Sequence, residues 1–183
     1  KVKSIHASAE RLLNLINEIL EFRKTETQNR RLTVAHADLN AFVREQGMRF
    51  KDLNRNPQVS INITTPGHPV EVYFDSETIS TVINNLMSNA IKYTAKGSID
   101  LTLTEGNGLI EISIKDTGYG ISKEALPHIF DRYYQAKGMH QASGTGIGLA
   151  LVKSLAQLHD AGLSVDSEEG KGTTFTFALK ADN

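Results

Sequence analysis

Ile99, Leu101 and Leu103 alternate with polar residues, Glu105-Gly106-Asn107-Gly108 interrupts, and Ile110, Ile112 and Ile114 resume the alternation. Successive side chains on a strand point to opposite faces, so each run has one apolar and one polar face, and the Asn-Gly pair suits the left-handed backbone of a tight hairpin. A helix would scatter the same residues around its circumference. The stretch is therefore committed to an antiparallel hairpin with one buried face, and the rest of the chain must supply further strands and a cover. Val59, Ile61 and Ile63 alternate in the same way, as do Phe175, Phe177 and Leu179. The cover is read from helical spacing. A helix over residues 77–92 and the residue after it carry Ile79, Val82, Ile83, Leu86, Ala90 and Tyr93 on one face, with Asp75 or Ser76 placed to cap the start. A second helix falls near residues 39–53, before the break at Arg55-Asn56-Pro57, and a third aligns Leu151, Leu155 and Leu158. These elements predict an α+β fold, a two-layer sandwich with a mixed sheet and helices on one face.

Residues 5–22 form a separate case. Ile5, Leu12, Leu15, Ile19 and Phe22 recur at heptad-like intervals, and Ala9, Leu13, Ile16 and Leu20 widen the stripe beyond what a two-stranded coil uses. That width predicts a helical bundle, with an amphipathic helix folded back on its own domain as the alternative. Polar residues 23–31 offer a hinge or helix end, which divides the chain into an arm, 1–30, and a domain, 31–183. The arm starts at Lys1 inside its helical pattern, without an initiator Met, and is read as part of a longer protein. No apolar run reaches the ~20 residues that cross a bilayer. A net charge of −1 gives no overall attraction for nucleic acid, so a polyanion would have to bind locally. Without cysteine there are neither disulfides nor Cys-held zinc.

Four short motifs could carry chemistry. Asn85, Asn89 and Lys92 fall at i, i+4 and i+7 of the helix, an arc of roughly 60° bordering its apolar face. Amide oxygens are hard ligands suited to Mg²⁺ and an ammonium neutralises phosphate, although a solvated polar face has the same composition. Asp116-Thr117-Gly118-Tyr119-Gly120 follows directly on the hairpin's second strand. Its glycines let the backbone approach a flat ligand, and Asp116 can accept from an exocyclic amine such as that of adenine. Phe130-Asp131-Arg132-Tyr133-Tyr134 gathers aromatic rings beside an Arg. Gly144-Thr145-Gly146-Ile147-Gly148 opens the helix at Leu149, so backbone N–H groups could face phosphates there. It is neither a Walker A loop nor a dinucleotide fingerprint, and Gly170-Lys171-Gly172 reads as a turn.

In their order and spacing the four motifs closely resemble the N, first G, F and second G boxes of histidine kinases, over residues 32–183. The resemblance implies the Bergerat ATP-binding fold shared with gyrase, Hsp90 and MutL, with ATP and Mg²⁺ as cofactors. It implies that Asn89, helped by Asn85, holds Mg²⁺; that Lys92 meets phosphate; and that Asp116 reads the adenine amine. Gly118 and Gly120 would shape the base pocket, with Tyr93, Ile121, Gly144, Thr145, Gly146, Ile147, Gly148 and Leu149 completing the nucleotide site. Residues 134–144 would be a lid, Arg132 and Gln135 would lie near the γ-phosphate, and Thr174 would be the strand threonine supporting adenine recognition. His159-Asp160-Ala161-Gly162 departs from the family, which usually has His followed by two glycines.

ATPase branches of the superfamily usually carry a Glu four residues before the Mg²⁺ Asn, as a general base for water. Here that position is Asn85, which cannot take a proton, and transfer to a protein nucleophile is the expected chemistry. No acceptor is evident among the six histidines: His6, His36, His68, His128 and His140 lack the following acid of the family's acceptor motif, and His159-Asp160 lacks its Pro. The arm resembles the second helix of a dimerisation domain, loosely closest to hybrid sensors, which implies an acceptor helix upstream of Lys1. The resemblance further implies a response-regulator receiver domain as partner, a homodimeric full-length protein, and a cytoplasmic domain of a membrane-bound sensor. The alternatives are an ATPase or serine-directed kinase of the same superfamily, or a module that senses nucleotide without transferring phosphate.

Overall fold

The computed structural model describes residues 1–26, 31–135 and 146–181. Its elements run α1 (Val2–Glu26), β1 (Ala35–Asp38), α2 (Leu39–Leu53), β2 (Val59–Thr64), β3 (Glu71–Phe74), α3 (Ser76–Tyr93), β4 (Gly97–Gly106), β5 (Leu109–Asp116), α4 (Gly148–Leu158), β6 (Gly162–Glu168) and β7 (Gly172–Lys180). A five-stranded sheet has the order β2-β4-β5-β7-β6, and β1 pairs with β3 in a separate two-stranded ribbon.

The β4–β5 hairpin forms as expected, with Leu101 opposite Ile114 and Leu103 opposite Ile112. Asn107 (φ 53°) and Gly108 (φ 74°) supply the two left-handed residues of its turn. Only β2 and β4 pair in parallel, and α3 lies on the crossover between them. One sheet face carries the fully buried Ile99, Leu101, Ile112, Ile114 and Phe177, covered by α2, α3 and α4 through Leu39, Val43, Ile79, Ile83, Leu86, Leu151 and Leu155. Helices on one face of a mixed sheet are the layers predicted.

Asp75, rather than Ser76, caps α3: its carboxylate accepts the Thr78 N–H at 3.0 Å. At the departure from the family pattern, Asp160 takes the left-handed conformation (φ 52°), which Asp tolerates better than most residues, and its carboxylate pairs with Lys180 at 2.6 Å. Two short strands, β1 and β3, and the edge strand β6 go beyond the expected elements.

Helix α1 divides its apolar stripe. Phe22 is buried, Leu15 and Ile19 pack partly buried against the core, and α4 is the element they meet. Val2, Ile5, Leu12, Leu13, Ile16 and Leu20 stay exposed. One flank folds back on the domain, as the alternative expectation has it, and the other has no cover among the described residues. No helix among the described residues is long and apolar enough to cross a membrane.

Candidate functional site

Alternation along β5 buries Ile110, Ile112 and Ile114, and the next residue in that row is Asp116, only 7% exposed. A carboxylate stands where the pattern would place another aliphatic side chain. It accepts the Gly118 N–H at 2.9 Å and the backbone N–H of Thr173. Burial raises its pKa, and these two donors partly oppose the rise.

The chain after Asp116 is held close to α3. A Cβ on Gly118 would lie 2.2 Å from the Tyr93 carbonyl oxygen and 2.8 Å from Thr94 Oγ1, so only glycine fits without displacement. The Tyr119 N–H donates to that same Tyr93 carbonyl at 3.2 Å, and the Tyr119 carbonyl accepts the Gly170 N–H at 2.7 Å. Gly120 is left-handed (φ 69°), and a Cβ there would sit 2.1 Å from the Glu168 carbonyl. The Ile121 N–H donates to Ser167 Oγ at 2.8 Å. Asp116, Gly118, Gly120 and Ile121 therefore form one pinned loop, bounded by the end of α3 and the β6–β7 turn. Burial also raises the Tyr93 pKa.

Three residues of this end lie outside the motifs read from the sequence. Thr173 is buried and opposite Asp116, whereas Thr174 pairs with Lys115 and belongs to the other sheet face. Phe175, Phe177 and Leu179 share the odd-numbered face with Thr173, so alternation alone places Thr173, not Thr174, beside the carboxylate. Thr173, rather than the expected Thr174, is thus the strand threonine that lies beside Asp116. Ser167 Oγ lies 2.8 Å from Thr173 Oγ1 and donates to the Gly172 carbonyl at 2.9 Å, tying the Gly120–Ile121 turn to β7. Thr94 is 2% exposed, and its hydroxyl has no hydrogen-bond partner among the described residues.

At the other end α3 meets α4. Asn85 Nδ2 donates to the Thr81 carbonyl one turn earlier, at 2.8 Å, which turns Oδ1 toward α4, 2.8 Å from where a Gly148 Cβ would lie. No side chain among the described residues caps α4 at Ile147, and the positive end of the helix dipole there favours an anion. Asn89 is half-buried on the same stretch of α3, and its amide has no side-chain partner among the described residues. Lys92 Nζ lies 5.7 Å from the Tyr93 ring centre; partial desolvation lowers its pKa, opposed by the nearby charge of Glu18 on α1. Ile147 is buried and Leu149 half-buried at the start of α4.

The aromatic box is joined to this end through its backbone. Tyr133 is left-handed (φ 60°), and its N–H donates to the Gly146 carbonyl at 2.9 Å. The Arg132 guanidinium stands over the Phe22 ring, 4.4 Å from the centroid, in a cleft shared with Ile19, Arg23, Tyr133 and Ile147. Gln135 is exposed. Gly144, Thr145 and most of the expected lid lie outside the described residues. No group of three or more His, Asp or Glu residues able to hold a metal occurs among the described residues, and the amide oxygens of Asn85 and Asn89 are of the hard kind that Mg²⁺ takes.

Residues 74–183 match the family described as histidine kinase-, DNA gyrase B- and HSP90-like ATPase. The chain is 33% identical over 98% of its length to histidine kinase P4 of Formosa agariphila, of which it spans 14%. It is 32% identical, again over 98% of its length, to the aerobic respiration control sensor protein ArcB of Escherichia coli, of which it spans 24%. A crystal structure of full-length ShkA in complex with AMPPNP superposes with a TM-score of 0.84 at 25% identity, covering 97% of this chain and 37% of that one.

Proposed function

The chain belongs to the histidine kinase-, DNA gyrase B- and HSP90-like ATPase family, and on that premise we propose that it is the ATP-binding core of a two-component sensor kinase, passing the γ-phosphoryl group to a histidine outside this sequence. Asp116 would accept from the adenine amine while the Gly118–Gly120 loop packs on the base, with Thr173 as the supporting strand threonine. Asn85, Asn89, Lys92 and the first turn of α4 would face the phosphates. Mg²⁺, held by Asn89 with help from Asn85, would supply charge neutralisation on the phosphate oxygens. Arg132 and Gln135 would act near the γ-phosphate once Arg132 leaves Phe22. Residues 1–30 would belong to a dimerisation helix pair and 31–183 to the catalytic domain. The whole protein would be a homodimeric, membrane-bound sensor with this part in the cytoplasm, relaying phosphate to a receiver domain.

The observation that carries transfer over hydrolysis is Asn85. It sits at the junction of α3 and α4 with its nitrogen bonded to the Thr81 carbonyl, and an amide cannot deprotonate an attacking water. The test supplies the missing nucleophile. With γ-labelled ATP and a protein containing an acceptor helix pair, label is expected on a histidine of that pair, stable to base and labile to acid. Rapid phosphate release without acceptor would favour an ATPase, and ATP binding without transfer would favour a nucleotide-sensing module.

A further inference from the structure

His159 ends α4, its backbone N–H bonded to the Leu155 carbonyl at 3.0 Å, and its ring reaches a distant part of the chain. Nε2 lies 3.1 Å from the backbone nitrogen of Asp75. A backbone N–H can only donate, so Nε2 must present its lone pair and the ring proton must sit on Nδ1. The same Asp75 is a junction. Its Oδ1 accepts the Thr78 N–H at 3.0 Å, fixing the start of α3, and its Oδ2 accepts the Thr33 N–H at 2.7 Å, fixing the segment that leads into β1. Asp75 is 5% exposed, so its N–H has little access to water as a replacement acceptor.

The consequence is geometric. Two of the contacts between α3 and α4 lie near opposite ends of α4: Asp75 with His159, at the start of α3 and the end of α4, and Asn85 with Gly148, midway along α3 and at the start of α4. Two fixed points set both the spacing and the tilt of one rod against another. At Gly148 the glycine offers no side chain to adjust, so the His159 bond is the adjustable end. Without the His159 bond α4 can swing about its contact at Gly148, which re-aims its first-turn N–H groups relative to Asn85, Asn89 and Lys92, and leaves the Asp116 loop, held by β5 and β7, where it is.

We propose that His159 is a positioning residue that, through its bond to the Asp75 N–H, holds the N-terminus of α4 in register with the phosphate-facing side of α3. This rests on the nucleotide reading above and adds a residue to it that touches neither base nor phosphate. His159 acts as a neutral Nδ1–H tautomer, and its neighbour in the chain, Asp160, pairs with Lys180. The pair belongs to no motif recognised in the sequence, because His159 and Asp75 are 84 residues apart.

Calorimetry on the whole chain with ATP and with adenosine tests this. His159→Ala should weaken ATP binding by roughly threefold to tenfold, the worth of a single displaced hydrogen bond, with adenosine affinity unchanged. His159→Gln carries an acceptor oxygen at similar reach and should recover most of the loss. In the wild type, nitrogen NMR should show His159 as the Nδ1–H tautomer with Nε2 accepting a hydrogen bond. Equal losses for ATP and adenosine would reduce His159 to a general stabiliser of the fold, and unchanged ATP affinity in His159→Ala, or an Nε2–H tautomer, would also overturn the proposal. If the wild-type chain binds neither ligand, the nucleotide reading fails and this inference with it; if it binds both and His159→Ala matches it, the inference fails alone.

Discussion

Replacing Asp116 separates recognition from folding, because its carboxylate holds the Gly118 and Thr173 N–H groups and is proposed to read the base. In Asp116→Ala the N–H groups of Gly118 and Thr173 lose their acceptor at a site 7% exposed. Stranding a buried donor costs about 1–3 kcal/mol, but the wild type already bears a desolvation cost, visible in the raised pKa, that the variant sheds. The net loss of stability should be about 1–3 kcal/mol, and the lost bond to the adenine amine should weaken ATP binding by about 10- to 100-fold. Asp116→Asn keeps an oxygen for Gly118 and offers an amide where the base also donates. It should lie within about 1 kcal/mol of wild type in stability and lose about as much affinity as the Ala variant. The pH dependence has a defined sign. The folded state holds the proton more tightly than the unfolded chain, so this group's contribution to stability is largest below its unfolded value of 3.8 and declines as pH rises through the raised folded value. ATP affinity should run the other way, falling as pH drops into the same window and the carboxylate is protonated. Thermal denaturation and calorimetry on both variants decide the matter. Wild-type affinity in a folded Asp116→Asn protein would refute the assignment of Asp116 to the base.

Asn89→Ala should remove the Mg²⁺ enhancement of ATP binding and leave metal-free affinity nearly intact; titrations with and without Mg²⁺ showing equal enhancement in both proteins would contradict the ligand assignment. Gly118→Ala forces a methyl to within 2.2 Å of the Tyr93 carbonyl and should cost about 1–3 kcal/mol in thermal denaturation, so an unchanged melting temperature would show that the approach is not tight. Phe22→Leu keeps apolar bulk but removes the ring beneath Arg132, worth about 0.5–1 kcal/mol. Amide exchange in the second half of α1 should then quicken about twofold to fivefold while the sheet is unaffected, and unchanged exchange would mean that the ring does not anchor the helix.

The elements legible in the sequence were those with enough length to repeat a pattern. The hairpin repeats its alternation across Ile99 to Leu103 and Ile110 to Ile114, and α3 shows a complete core face, so both were read with their turns and caps. Strands β1 and β3 have four residues each and hold one another as a ribbon, which gives too few periods to stand out. Strand β6 has only Leu163 and Val165 as large apolar residues, because it is an edge strand buried by halves. The site follows the same division. Asp116 and its glycines lie together in the chain and were found as a unit, whereas Ser167, Thr173 and His159 act through residues distant in sequence. Thr173 was nonetheless within reach: the alternation that buries Phe175 and Phe177 also turns Thr173, and not Thr174, toward Asp116.

Helix α1 shows why width of stripe alone could not choose between bundle and folded-back helix. At about 100° per residue, Leu15, Ile19 and Phe22 span an arc of roughly 60°, and Ile5, Leu12, Leu13, Ile16 and Leu20 occupy the adjoining roughly 100°. The first arc is the one docked beside α4, and the second is exposed along its length. A helix serving only its own domain needs one of these arcs, and a helix serving only a bundle needs the other. Under the proposed division at residue 30, α1 would be a shared element: one flank would belong to a helical dimerisation unit, and the other reaches the rest of the chain at Arg132 and Lys92, the two cations proposed to meet phosphate. Phe22 stacks against the first and the charge of Glu18 acts on the second. A rotation of α1 would therefore act first on the proposed phosphate end of the site, while the Asp116 loop is pinned by β5, β7 and the end of α3.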